Sequence, residues 1–512
     1  MNKRNTVIFI LSFLLIAGFG FSGQKPDVKK SSQAQSEKRL SVTKHSIRIS
    51  GQTIPYTATA GELVVNKPSE EPGAKIFFMA YTRDDIKDVS SRPLTFAFNG
   101  GPGSSSVWLH MGGLGPRRIK MTDDGFSVKP PFGLEDNEYS LLDVTDLVFI
   151  DPVSTGYSRP LEGEKKSQFH GVNEDIASVG EFIRHYVTRF ERWSSPKFVL
   201  GESYGTFRSA GLSGFLQNRQ HGMYLNGIVL VSSVLDFLTI GFVPHVNLSY
   251  ILFLPHYTAT AWYHKKLSPD LQGKSLREVL DEVEKFALDD YSAALLKGNR
   301  LDKADYEKTV QKLALYTGLS EDYIRRSNLR IRHDRFVKEL LRQDLKTVGR
   351  LDSRFKGQDA DAAGENYEFD PSSAAIQGSF STMFKDYVRR ELKFKRDTPY
   401  HIFGNVYPWN FSQGGGGERR TLSLVPNTAE TLRRAMAENE FLQVFIANGY
   451  YDGATPYFGT EYTFSQIGLN NEYRDRIHMG YYEAGHMMYI HKPSLAKLKN
   501  DLAGFIESAS GK

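Results

Sequence analysis

The sequence predicts an α/β fold: a mostly parallel central sheet with helices on both faces, interrupted by an inserted helical segment. Three observations carry this. Short, almost wholly apolar runs such as "DLVFI", "KFVL" and "GIVLV" alternate with stretches of helical periodicity, as strands buried on both faces of a sheet require. This alternation stops near residue 242 and resumes near 401. Between those points the apolar residues recur at helical spacing, with no buried-strand run among them.

Residues 1–23 read as an export signal: Lys3 and Arg4 form a basic start, an apolar run follows, and Gly18, Gly20, Ser22 and Gly23 are small. The run is short for a membrane span. The expected location is therefore exported, periplasmic or secreted, without stable membrane association unless the signal stays uncleaved. Residues 24–40, rich in Ser, Gln and Lys, read as a flexible spacer.

The first part of the core is expected over 41–241. It opens with strand-like "SVTKHSIRI", "GELVVN" and "AKIFFMAY", punctuated by Gly and Pro and antiparallel in character. "PLTFAFNGG" and "DLVFIDP" follow as buried strands, then "NEDIASVGEFIRHYVTRF" as a helix. "KFVLGES" is a strand running into a turn, with a helix beginning near Thr206, and "GIVLVSSVL" is the next strand. A helical cap insertion spans 242–400, with amphipathic patterns in "SLREVLDEVEKFALDDYSAALL", "DKADYEKTVQKLALYTG" and "RHDRFVKELLRQDLKTVGR". The second part of the core, 401–512, supplies "TLRRAMAEN" as helix, then "FLQVFIANG" and "RIHMGYYEAGH" as strands with loops.

Composition narrows the chemistry. The formal net charge is only +5, with both signs spread along the chain, which argues against nucleic-acid partners. No Cys is present, so there is no disulfide framework, thiol nucleophile or cysteine metal site. Gly414 to Gly417 lack the Lys-Ser or Lys-Thr of a phosphate loop. No cofactor or metal is expected.

Within "FVLGESYGTF", Gly201, Ser203 and Gly205 form G-x-S-x-G between an apolar strand and a helix. The strained reversal exposes the serine, and only glycine tolerates the close approaches on either side. The helix behind it directs N–H groups and a positive dipole end at a developing oxyanion. A serine hydroxyl also needs a histidine to take its proton and a carboxylate to orient that histidine. The order serine, acid, histidine fits Asp452, just past the strand in "FIANGYYDG", and His486 in "YYEAGHMMY". Glu483 is a rival carboxylate close to His486 in sequence. The glycines of "FNGGPGSSS", Gly100, Gly101 and Gly103, leave backbone N–H groups unshielded beside an apolar strand, a setting for oxyanion binding. Tyr157, Tyr450 and Tyr451, with the helical insertion, are candidates for shaping side-chain pockets.

Together "NGGPGSSS" at 99–106, "DPVSTGYS" at 151–158, "GESYG" at 201–205, "NGYYDGATPY" and "GHMMY" resemble the serine carboxypeptidase family of α/β-hydrolases, the bacterial cysteine-free branch in particular. The resemblance runs from about residue 41 to the C-terminal region. It implies the α/β-hydrolase fold and removal of C-terminal residues from peptides through an acyl-enzyme, favoured at acidic pH. It implies Ser203, Asp452 and His486 as triad, and the backbone N–H groups of Gly101 and Tyr204 as oxyanion hole. Asn99 and Glu202 correspond to the pair that binds the substrate's free α-carboxylate, so the expected partner is a peptide with a free C-terminus. Three positions depart from the family: Ser104 stands where Cys is usual, Ala97 where Trp is common, and Gly113 where a glutamate supports carboxylate binding. The last bears on carboxypeptidase specificity more than on hydrolysis. Esterase or acyltransferase chemistry could use the same triad.

Overall fold

The computed structural model describes residues 40–511 apart from 68, 127, 414–424 and 469–470. The expected signal at 1–23, nearly all of the spacer and the Gly414 to Gly417 loop lie outside the described residues. From Leu40 onward the chain forms one compact unit.

Three strands open the fold: β1 (Ser41–Ile49), β2 (Gln52–Asn66) and β3 (Pro72–Arg83). They pair antiparallel, β1 with β2 and β2 with β3. In β1 every second residue through His45 is more exposed than its neighbours, which is the pattern of an outer strand with one wet face. Next come β4 (Leu94–Phe98), β5 (Asp146–Ile150), β6 (Lys197–Ser203), β7 (Gly227–Ser233), β8 (Gln443–Gly449) and β9 (Ile477–Tyr482). The sheet order is β1-β2-β3-β5-β4-β6-β7-β8-β9, with the short strand Arg159–Pro160 pairing on β3. From β5 to β9 all pairings are parallel. All residues of β4, β5 and β7 are buried, which is why their sequences are continuous apolar runs.

Alternate residues of these strands feed two cores. On one face Phe96, Val148, Val199, Leu230 and Ile446 pack under helices α1 (Val172–Arg189) and α2 (Tyr204–Gln217) and the helix Ala429–Glu438. On the other, Ala97, Phe149, Leu200, Val229 and Phe445 meet residues of Pro371–Arg390 and of the C-terminal helix Lys492–Ala509.

Residues 242–348 supply most of a third core, centred on the helix Leu248–Tyr263 and completed by Tyr451, Tyr457 and Phe458. That helix is buried along most of its length, so it shows no polar face for periodicity to detect. The first amphipathic pattern forms Leu276–Phe286 and, past a π-helical turn at Ala287–Tyr291, Ser292–Lys297; the second forms Lys303–Thr317. The third is shorter than its periodicity predicts. It is α-helical only over His333–Glu339, continues through a 3-10 turn at Arg342–Asp344 and then becomes a strand, Thr347–Val348, paired with Lys356–Gly357. Tertiary contacts explain the difference: Lys338 and the Thr347 hydroxyl both bind the carboxylate of Asp359. The region from 349 to 400 packs mainly against the sheet core, through Ile376, Phe380 and Phe384, while Tyr367 lies against the third one.

Candidate active site

Strand β6 ends on Ser203, which adopts φ 60° and ψ −129°, and α2 begins at the next residue. A non-glycine residue in this region stores on the order of 1–3 kcal/mol of strain, held here by the packing around it. The packing leaves no room for side chains at the flanking glycines. A Cβ on Gly201 would lie 2.1 Å from the Gly205 carbonyl oxygen, and one on Gly205 would lie 2.8 Å from the Phe98 carbonyl oxygen. A Cβ on Gly100 would lie 2.4 Å from the Tyr204 nitrogen. The loop after β4 and the turn after β6 are thus backed directly against each other, bringing Gly101 and the Tyr204 N–H to one end of the sheet.

Two buried clasps hold the glycine-rich loop there. Arg208 on α2 donates to Asp175 on α1 at 2.7 Å and to the Asn99 carbonyl at 2.8 Å. At the loop's far end Asp151 accepts from the Ser106 N–H at 2.9 Å. The "DPVSTGYS" segment is therefore a brace. Ser104, at the position of the usual cysteine, accepts the Trp108 indole N–H at 3.0 Å.

His486 Nδ1 lies 2.8 Å from Asp452 Oδ2. The Asp452 carboxylate also accepts from the N–H groups of Ala454 and Thr455, at 2.8 and 2.9 Å, and from the Thr455 hydroxyl at 2.7 Å. Burial alone would push Asp452 up, but the His486 charge, their hydrogen bond and the Thr455 donors outweigh it and hold the carboxyl below its usual range. Burial likewise opposes charge on His486, yet Asp452 and then Glu202 raise it above the ordinary imidazole value. Glu483 is exposed and takes no part in this pairing.

Ser203 and His486 line one cavity of about 320 Å³ with Asn99, Gly101 and Glu202. The Ser203 hydroxyl does not hydrogen-bond His486 in this arrangement, as is common for such pairs before substrate closes them. Glu202 is buried and accepts from the Tyr489 phenol at 2.6 Å. Burial, with the Asp452 charge adding to it, pushes Glu202 up to about 7 against the opposing pulls of His486, Tyr489 and Asn99. Asn99 accepts the Leu109 N–H on Oδ1, while its buried Nδ2 makes no hydrogen bond of full geometry but lies close enough to Glu202 to favour the charged carboxylate. A buried donor left short of a full hydrogen bond is costly, and this one belongs to a residue of the cavity wall.

The structure thus brings Ser203, His486, Asp452, Gly101, Tyr204, Asn99 and Glu202 together. The three tyrosines expected near the side-chain pockets are elsewhere. Tyr157 packs against Phe77, Phe394 and Tyr400, Tyr450 against Tyr457 and Tyr481, and Tyr451 against Tyr263. They are packing residues. The cavity's aromatic wall is instead Trp108, Tyr367 and Phe403.

The segment from 349 to 400 contributes Arg350, Leu351, Tyr367, Asp370, Ser373 and Ile376 to the same cavity. It is also stapled to the loops that carry Asp452 and His486. The N–H of His486 donates to the Leu351 carbonyl at 2.6 Å, that of Gly453 to Arg350 at 3.0 Å, and that of Ser353 to Tyr451 at 2.9 Å. The Gly485 N–H donates to the Asp352 carboxylate at 3.0 Å.

Tyr489 was not singled out by the sequence. Its ring covers Gly112 and Gly113: a Cβ on Gly112 would lie 2.5 Å from Tyr489 Cε2, and one on Gly113 2.7 Å from Tyr489 Cβ. The missing glutamate at 113 and the phenol on Glu202 are therefore parts of one local arrangement. A signal existed in the tyrosine closing "GHMMY", but only the fold shows what it faces.

A family model described as serine carboxypeptidase matches residues 51–507. Among curated proteins, "Serine carboxypeptidase-like 29" of Arabidopsis thaliana is 29% identical over 174 residues, covering 32% of this chain and 32% of that protein. "Carboxypeptidase Y homolog A" of Talaromyces stipitatus is 28% identical over 155 residues, 30% of this chain and 26% of its own. The chain thus spans about a third or less of the length of the curated relatives it matches. A solved structure of Kex1(delta)p, a prohormone-processing carboxypeptidase from Saccharomyces cerevisiae, superposes with a TM-score of 0.54 at 17% identity. That match covers 89% of this chain and 91% of that one, a likeness of fold.

Proposed function

The chain belongs to the serine carboxypeptidase family, and from that premise we propose that it releases C-terminal amino acids from peptides through an acyl-enzyme on Ser203. His486 accepts the Ser203 proton as the hydroxyl attacks the last peptide carbonyl. Asp452 orients the imidazole and stabilises its cation. The N–H groups of Gly101 and Tyr204 receive the oxyanion, where one donor is worth roughly 3–4 kcal/mol. His486 passes its proton to the departing amine, and water then releases the acyl group. The segment 242–400 acts as a cap over this site.

The observation that carries the reading is Glu202, buried in the same cavity as Ser203 and held at about 7, beside the Asn99 amide. Two carboxyl groups share a site only when one keeps its proton. Protonated Glu202 and Asn99 are two donors suited to a free α-carboxylate. Binding of that carboxylate therefore weakens as pH rises through about 7, where Glu202 ionises. His486 accepts protons only above its own raised pKa, so turnover fades as pH falls.

The test compares an N-blocked dipeptide with its C-terminal amide across pH. The free acid is expected to bind at least about tenfold better at low pH, and an active-site fluorophosphonate should label Ser203. Equal cleavage of acid and amide would remove Asn99 and Glu202 from carboxylate binding and favour an esterase. Transfer to an added alcohol in preference to water would favour an acyltransferase. The basic start and apolar run before residue 23 support export to the periplasm or beyond. Among the described residues no helix is long and apolar enough to cross a membrane.

A further inference from the structure

We propose that Arg350 pairs with an acidic side chain of the substrate, so that peptides with Asp or Glu next to the scissile bond are preferred. This deepens the carboxypeptidase reading and rests on it. Arg350 is an exposed residue on the wall of the cavity that holds Ser203 and His486. Among the described residues its guanidinium has no ion pair or hydrogen bond. The cavity's other charged wall residues are committed. Asp370 accepts from the N–H groups of Arg350 and Ser372 on Oδ1 and from that of Leu351 on Oδ2. Its Oδ1 also accepts the Ser372 hydroxyl. Glu202 accepts from Tyr489 and is assigned to the α-carboxylate.

The position is fixed although the side chain is free. The Arg350 N–H is held by Asp370 at 3.0 Å, and its carbonyl by Gly453, the neighbour of Asp452. The next residue, Leu351, holds the His486 N–H. Arg350 is near enough to His486 for its charge to pull the imidazole pKa down. The cation thus stands at a set place beside the reacting groups. Trp108, Ile376, Phe403 and Met487 line the same cavity, and apolar walls strengthen a charge pair by thinning the water around it. A guanidinium can take a carboxylate in a bidentate, charge-assisted pair that a neutral amide cannot reproduce.

The experiment uses N-blocked dipeptides carrying Glu or Gln at either side of the scissile bond, with the full-length enzyme and its Arg350→Gln and Arg350→Lys variants. Expected is a Glu-over-Gln preference in kcat/KM of about tenfold or more at one of the two positions. It should fall to near one in Arg350→Gln and be partly kept in Arg350→Lys. A wild-type ratio near one at both positions overturns the proposal. So does a ratio that Arg350→Gln leaves unchanged, including an equal loss on every peptide, which would put the guanidinium on the α-carboxylate. If no peptide is cleaved while fluorophosphonate still labels Ser203, the carboxypeptidase reading fails. The same peptides then report on Arg350 by protecting Ser203 from the probe: stronger protection by Glu than Gln in the wild type alone supports the pairing, and equal protection overturns it.

Discussion

The phenol of Tyr489 donates to Glu202 at 2.6 Å, and its ring occupies the space above Gly112 and Gly113. Two small residues on one segment make room for a donor on another, and that donor meets the carboxyl next to Ser203. A hydrogen bond to the ionised form favours ionisation, so Tyr489 restrains a carboxyl that burial drives upward.

Removing only that hydroxyl, in Tyr489→Phe, should raise the Glu202 pKa beyond about 7. The sign is fixed: with the donor gone, the proton is held to higher pH. In a pH profile of KM for a free-acid dipeptide, the alkaline rise should move upward, with stability lowered by about 1–3 kcal/mol. A profile that stays in place would mean Glu202 is not the titrating group.

Glu202→Gln replaces a switchable donor with a permanent one. The alkaline rise in KM should vanish, while the fall of kcat on the acid side, set by His486, should persist. Measuring both limbs in one titration separates the two groups.

Gly112→Ala should cost about 1–3 kcal/mol in chemical denaturation, because its Cβ would meet the Tyr489 ring at 2.5 Å. In a Tyr489→Ala background the ring is gone and the penalty should shrink, giving a coupling energy in a double-mutant cycle.

Gly100→Ala should leave a folded protein with kcat reduced by about 10²–10³-fold. Its Cβ would press on the Tyr204 nitrogen, a backbone atom that cannot swing aside, and would part the two N–H donors. Stopped-time labelling by fluorophosphonate should slow in parallel, since that reagent also places an oxygen between them.

How much of this was legible beforehand depends on how local each signal is. The turn at Ser203 was readable because strand, glycines and helix sit within a few residues, and β6 matches "KFVLGES" from first residue to last. The Asp452–His486 pairing was readable from chain order and loop placement. The end of the helix at Glu339 was not, because the contacts that stop it come from Asp359, twenty residues later in the chain. The helix Leu248–Tyr263 offered no polar face, since it is buried on nearly all sides. Tyr157, Tyr450 and Tyr451 illustrate the opposite error: proximity to a motif in sequence says nothing about which way a ring points. Arg208 and Tyr489 act through partners far along the chain, so no spacing rule could have found them.

The staples from residues 350–353 tie that stretch of chain to the loops of Asp452 and His486, and so make it part of the frame that holds the pair. Trimming it away would not leave a wider, more permissive enzyme. It would free the imidazole's own main chain and strand the machinery without alignment. Side chains on that strap can be exchanged to reshape the cavity, but its main-chain staples have to stay.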